Sequence, residues 1–241
     1  MNAATSTNSA PAERARIGGW QPFSSCDWPG RLAAVVFFAG CPWRCGYCHN
    51  PGLLQRRHGQ HRWPQLRELL LRRRGLLDGV VFSGGEPLSD PALPALLAEV
   101  RALGFATGLH TAGAHPHRLQ QVLPLLDWVG LDIKTVPGRY AALTASGGSG
   151  ARAFASLDLL LAHGGDFECR STIHPALHDE HSLRQLATTL AQQGVRRYAW
   201  QLLRPGPQLP QPFAPIATGW PHAELQQQVA AMFAQFELRS G

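Results

Sequence analysis

The chain has 241 residues, 44% of them hydrophobic, which suits one large domain with a real core, and no apolar run reaches the length of a membrane span. Its formal charge of +6 is modest and its arginines are scattered; with no nucleic-acid-binding motif, neither a nucleic acid nor a membrane is expected as a partner. Five cysteines, three of them at 41, 45 and 48, argue against a disulfide framework and for metal or redox chemistry in a reducing, cytoplasmic setting.

The opening MNAATSTNSAPAER is small and polar and lacks the apolar stretch of a signal peptide. Residues 1–16 are therefore expected to form a disordered tail, and 17–241 a single domain. From Ala33 onward, apolar runs alternate with longer amphipathic stretches. Strands are expected at Ala33–Phe38, Gly79–Phe82, Ala106–His110, Trp128–Ile133, Phe167–Ile173 and Arg197–Leu202. Helices are expected at Trp63–Arg74, Ala92–Leu103, Pro116–Leu125, Gly150–Ala162 and Ser182–Gln193, with Gly75, Gly104 and Gly194 as stops. The run Arg72-Arg73-Arg74 reads as a solvated helix end that complements the dipole. A Pro-rich segment, 205–221, leads to a last amphipathic helix over Ala223–Glu237. Six strands with five intervening helices predict an α/β fold, a partial (β/α)6 TIM-like barrel in preference to an open doubly wound sheet.

Cys41, Cys45 and Cys48 follow the first of these strands, in the stretch VFFAGCPWRCGYCHNP. Their spacing could mark one face of a helix, but Pro42 and Gly46 favour a loop folded around an object. A structural zinc site would want four ligands, with His49 or Cys169 as the fourth. An iron–sulfur cluster on three thiolates would instead leave one iron open to a small molecule.

Other short motifs fall at later strand ends. VVFSGGEP (80–87) places two adjacent glycines and a carboxylate after the second strand, suited to close approach of a ligand and to an ammonium group. LDIK (131–134) holds the only lysine among 22 basic residues, a compact charge where the chain otherwise uses guanidinium groups. LHTAG (109–113) ends the third strand, and ECRSTIHP offers Arg170 and Thr172 on one face of the fifth. A carboxylate partner for Arg170 within the core is the plain alternative to a ligand contact. The C-terminal rim on which these motifs gather is where β/α barrels build active sites. HDEH (178–181) reads as a solvated turn opening a helix, and Cys26 and Cys169 as isolated residues.

CPWRCGYC, with an aromatic residue before its last cysteine, resembles the signature of the radical S-adenosylmethionine (SAM) superfamily. The resemblance implies that Cys41, Cys45 and Cys48 hold a [4Fe-4S] cluster whose fourth iron takes SAM, in the partial barrel of the radical SAM type. It assigns Gly84, Gly85 and Glu86 to the methionyl amino group, and Tyr47 to the neighbourhood of the adenine. It further assigns Thr111, Asp132, Lys134 and Arg170 to SAM. From Pro22 to Leu54 the chain is similar to the glycyl-radical-enzyme activases, a pattern that includes Asn50, the only asparagine beyond the tail. LHTAG departs from that branch, with His110 and Ala112 where activases carry aspartate and asparagine, which removes the carboxylate expected of a monovalent-cation site.

The implied function is reductive cleavage of SAM and removal of a glycine Cα hydrogen. The implied partners are a glycyl-radical enzyme, expected to be the anaerobic ribonucleotide reductase, and a one-electron donor such as flavodoxin or ferredoxin. A pyruvate formate-lyase-type target, a small-molecule reaction such as that of 7-carboxy-7-deazaguanine synthases, and a zinc- or cluster-binding interaction protein remain as alternatives. Gln201 and Arg204 are further candidates near SAM.

Overall fold

The computed structural model describes residues 11–57, 59, 61–204, 206–209 and 213–240. Its centre is one eight-stranded sheet whose spatial order equals chain order. The strands are β1 (Ile17–Ser24), β2 (Ala33–Phe38), β3 (Gly79–Gly84), β4 (Ala106–Thr111), β5 (Trp128–Asp132), β6 (Phe167–Ile173), β7 (Arg197–Leu202) and β8 (Gln235–Arg239). β1 runs antiparallel to β2, and every later neighbouring pair is parallel. Sequential order is the mark of a barrel-type winding, since a doubly wound sheet reverses direction at a switch point. The sheet stays open between β1 and β8, so the expected α/β partial barrel stands, longer by one strand at each end.

The helices are α1 (Trp63–Leu71), α2 (Leu93–Ala102), α3 (Pro116–Val122), α4 (Tyr140–Thr144), α5 (Ser149–His163), α6 (Glu180–Gln192) and α7 (Ala223–Ala230). Alternation along each strand sends one set of side chains outward to them. Val36, Phe38, Val80, Phe82, Leu109, Leu131 and Ile173 join the buried helix-facing core. The opposite set closes the floor of the barrel. There Trp28 and Trp128 stack at 5.6 Å over Val35 and Val81. Gly79 and Gly108 make this floor possible, because a Cβ on either would stand 2.8 or 3.0 Å from the Trp28 ring. Above the floor the inward positions turn polar: Ser83, His110, Asp132, Arg170 and Thr172.

Several boundaries differ from expectation: α1 ends at Leu71 instead of Arg74, and α3 at Val122 instead of Leu125, where a 3-10 turn takes over. Residues 11–16 are ordered: Pro11–Arg14 forms a 3-10 turn with Ala12 buried, and the Arg16 N–H and guanidinium both reach Asp90 Oδ2, at 3.1 and 3.2 Å. The rest of the expected tail, 1–10, lies outside the described residues, as do parts of the Pro-rich segment. The last helix ends at Ala230 instead of Glu237, and QFELR forms β8 beside β7. α6 begins at Glu180, two residues early, because Asp179 caps it by accepting the Ser182 N–H at 2.7 Å.

β8 is fastened by Arg239, whose guanidinium donates to both oxygens of Glu168 on β6 at 2.7 and 3.0 Å. The Glu168 side chain is only 7% exposed, so Arg239→Met strands a buried carboxylate. The expected result is a loss of about 3 kcal/mol in urea unfolding, with exchange of the β8 amides rising before that of β5 and β6.

Candidate active site

The loop after β2 is built by backbone bonds to the segment that follows it. Gly40 N–H donates to Leu53 C=O at 2.7 Å and Cys41 N–H to Leu54 C=O at 3.1 Å, while Cys48 N–H closes a turn onto Cys45 C=O. Cys41, Cys45 and Cys48 are free, half-buried, and face one cleft at the C-terminal rim of the sheet. Burial foremost, with Glu86 nearby, pushes the Cys41 thiol up to about 12, and burial raises Cys45 too. Bare thiolates are therefore costly here, and a cationic metal centre would offset that cost. Cys169 is fully buried on β6 and does not face the cleft, whereas His49 does. Among the described residues no group of three or more His, Cys, Asp and Glu converges as around a single ion. Three sulfur donors on one wall of an open cleft fit a cluster that leaves one metal facing the cleft.

The glycines of GGEP serve this loop first. A Cβ on Gly84, whose φ is +117°, would stand 2.3 Å from Phe38 N, and one on Gly85 would stand 2.6 Å from the Gly40 carbonyl oxygen. The two glycines let β3 and the cysteine loop close on each other, and both face the cleft. The Glu86 side chain does not line the cleft. It is 1% exposed, and its carboxylate accepts from Leu88 N–H, Thr111 Oγ1 and Ala112 N–H at 3.1, 2.7 and 3.0 Å. Burial raises its pKa against these donors. The carboxylate thus ties the end of β3 to the end of β4. Thr111, bonded to Glu86, also faces the cleft.

The same cleft holds a charge cluster. Asp132 Oδ1 accepts from Arg170 Nε and Nη2 at 3.0 and 2.8 Å, and Lys134 Nζ stands 4.0 Å from Oδ2. Burial opposes the Asp132 charge, but Arg170 and Lys134 outweigh it and hold the carboxyl below its ordinary range. Burial likewise opposes the Lys134 charge, and the surrounding Tyr47, Cys45 and Asp132 groups nevertheless hold its ammonium well above the usual range. The ammonium lies 5.5 Å from the centre of the Tyr47 ring, a cation–π distance. Gly130 leaves room for the guanidinium, since a Cβ there would stand 2.8 Å from Arg170 Cζ. Arg170 is thus held by a carboxylate, the plain alternative read from the sequence, while still facing the cleft.

His110 sits between floor and cleft. Its Nε2 lies 2.7 Å from the Asp27 carbonyl oxygen, which only an N–H can satisfy, so Nδ1 carries the lone pair that faces Ser83 Oγ at 3.4 Å. Burial, aided by Arg170, drives its pKa down to about 3. The ring is neutral and gives no charge to balance a cation. The sign of the linkage follows: below the unfolded value of 6.5 the unfolded chain gains a proton that the native chain refuses, so stability is lost as pH falls from 6.5 towards 3. His110→Gln should shrink the stability difference between pH 7 and pH 4.5 by about 2 kcal/mol, read by urea unfolding at both.

Gln201 and Thr172 reach the cleft, while Arg204 lies in the adjoining outer groove between Pro29 and Arg239. In HDEH, His178 is buried and bonds the Lys134 carbonyl, Asp179 caps α6, and Glu180 binds His222. Sequence reasoning did not single out Asp27, in the β1–β2 connection, or Ser83 on β3, which meet His110 only once β4 is folded beside them, nor Tyr140. Among the described residues no helix is long and apolar enough to cross a membrane.

The radical SAM superfamily matches residues 35–190 of the chain. The pyruvate formate-lyase-activating enzyme of Clostridium pasteurianum is 34% identical over 183 residues, 73% of this chain and 76% of that protein. The 7-carboxy-7-deazaguanine synthase of Thermococcus kodakarensis is 29% identical over 126 residues, 44% and 50% of the two chains. Among solved structures, Streptococcus suis SuiB bound to S-adenosylmethionine superposes with a TM-score of 0.67 at 13% identity, over 86% of this chain and 51% of SuiB. This chain thus spans about half of SuiB, and that likeness bears on the fold. With three cysteines on the loop after β2 and the match running through the barrel, the chain belongs to the radical SAM superfamily, in its branch of glycyl-radical-enzyme activases, whose cofactors are a [4Fe-4S] cluster and SAM.

Proposed function

We propose that this chain installs a glycyl radical on a partner enzyme, and that the partner is the anaerobic ribonucleotide reductase. The observation that carries the reading is that Cys41, Cys45 and Cys48 line one cleft together with the Asp132–Lys134–Arg170 cluster. Cys41, Cys45 and Cys48 would hold the cluster. The cleft-facing backbone at Gly84 and Gly85 would take the ammonium of SAM, Lys134 and Arg170 its carboxylate, with Thr111 beside them and Tyr47 next to the adenine. Asp132 keeps the two cations from repelling each other and from repelling a sulfonium ligand. Bound there and reduced by a flavodoxin or ferredoxin in the cytoplasm, the cluster and SAM would supply the 5′-deoxyadenosyl radical that takes hydrogen from a glycine of the partner. Glycine suits that role because, without a side chain, its radical lies planar and delocalises over both flanking amides.

The choice of ribonucleotide reductase rests on the similarity from Pro22 to Leu54, including Asn50 in the cleft wall. The test is anaerobic reconstitution with iron and sulfide, dithionite reduction, and incubation with SAM and each candidate glycyl-radical enzyme. A glycyl-radical EPR doublet on the reductase is expected. A doublet only on a formate-lyase-type enzyme would move the target, and a colourless zinc-loaded protein would sink the activase reading. The partial match to a deazaguanine synthase supports a small-molecule reaction as the second reading, which requires SAM cleavage without a radical on any protein.

A further inference from the structure

Lys134 lies two residues beyond the end of β5, where the ladder no longer supplies backbone partners. Both of its backbone groups are nevertheless held by side chains. Its N–H donates to the Tyr140 hydroxyl at 2.8 Å, and its carbonyl accepts from His178 Nε2 at 2.9 Å. Neither Tyr140 nor His178 faces the cleft, and both are buried, at 0% and 1% exposure. The His178 bond fixes its tautomer, which leaves a buried Nδ1 with no partner.

Tyr140 also opens α4, and α4 grips the cysteine loop. Its ring meets Trp43, between Cys41 and Cys45, edge-on at 6.0 Å. The carbonyl of Thr144, at its other end, accepts the Arg44 N–H at 2.8 Å, while the Arg44 guanidinium donates to the Cys41 and Trp43 carbonyls. α4 is braced in turn: Thr144 Oγ1 donates to Tyr140 C=O and is hydrogen-bonded to the Ser149 hydroxyl, and Gly150 lets Pro137 and Tyr140 pack closely against α5. The short helix thus spans from the thiols to the single lysine.

We propose that Tyr140, with His178, is a positioning residue that holds Lys134 and the cysteine loop as one rigid unit, so that a SAM molecule touching both meets a preformed site. The inference rests on the activase reading of the cleft. Tyr140→Phe removes only the hydroxyl and keeps the ring contacts with Trp43 and Phe154. The reconstituted variant should keep its iron, bind SAM about tenfold more weakly, and change its turnover at saturating SAM far less. His178→Leu should do the same, and His178→Gln, whose amide can still donate to the Lys134 carbonyl, should recover to within about threefold of wild type.

SAM affinity is read from the EPR change of the reduced cluster on SAM titration. Independently of the cluster, the Lys134 amide should exchange faster in Tyr140→Phe, measured by hydrogen exchange on the full chain. Unchanged SAM affinity in both Tyr140→Phe and His178→Leu, against a responsive wild type, overturns the clamp alone. A wild type that never responds to SAM removes the activase reading and the clamp together. Lower melting temperature with unaltered SAM affinity would reduce Tyr140 to a structural residue and counts against the proposal.

Discussion

Alanine in place of Cys41, Cys45 or Cys48 is expected to abolish SAM cleavage while leaving the barrel folded. Each thiol is half-buried at the cleft surface, and none belongs to the strands or to the fully buried core, so the apo protein should lose only about 1 kcal/mol. Iron bound after reconstitution should fall far below the value of about four per chain expected of the wild type, with the brown colour lost. Exposed Cys26 supplies the control: Cys26→Ser should keep the iron and the cleavage. Full iron in any of the three single variants would show that the cluster is held elsewhere. Trp43→Ala offers an intermediate case, since it deletes no ligand but removes a side chain 1% exposed that packs between the loop and Tyr140. Its expected effect is a loss of several kcal/mol in stability and of cluster yield together.

Asp132→Asn is expected to damage binding and stability at once. One carboxylate oxygen carries both bonds from Arg170, and the other faces Lys134. An amide oxygen can still accept those bonds but cannot neutralise either cation. The Arg170 side chain is 8% exposed, so its charge would be left in a poorly solvated site; Asp132, at 35%, opens to the cleft, where water eases part of the loss. The expected cost is about 2–3 kcal/mol in urea unfolding. Binding should suffer more, because two uncompensated cations would then face a ligand that carries a sulfonium, and SAM affinity should drop about 100-fold. Lys134→Arg separates charge from shape: it keeps the charge but replaces a compact ammonium over the Tyr47 ring with a planar fork. Wild-type SAM binding by Asp132→Asn would remove the charge cluster from the site.

The strands from β2 to β7 were legible because each is a short run rich in β-branched, aromatic or other apolar residues between turn or helix signals, wholly apolar in β2 and mixed in β6, and their bounds match to within two residues. β1 and β8 were not. β1 begins with Ile-Gly-Gly and contains Pro22, and β8 is five residues whose alternating Phe236 and Leu238 continue the apolar spacing of the preceding helix. Both are edge strands, held by one neighbour and, for β8, by an ion pair to Glu168, far away in the chain. The ordered start at Ala12 and Arg16 likewise depends on Asp90, 74 residues from Arg16.

The same division runs through the site. The amino-acid sequence by itself determined the donor set, because three thiols within one loop and one lysine at a strand end are local facts of composition and spacing. It also determined that these motifs share a rim, since parallel strands of one barrel all end on the same side. Only the tertiary structure decided which atoms face the cleft. It turned the Glu86 carboxylate inward onto Thr111 and Ala112, set Arg170 on Asp132, made His110 a neutral donor to Asp27, and brought Tyr140 and His178 to the backbone of Lys134. The physical reason is that a buried polar group must take whatever partner the sheet register carries to it, and register is a property of the assembled strands.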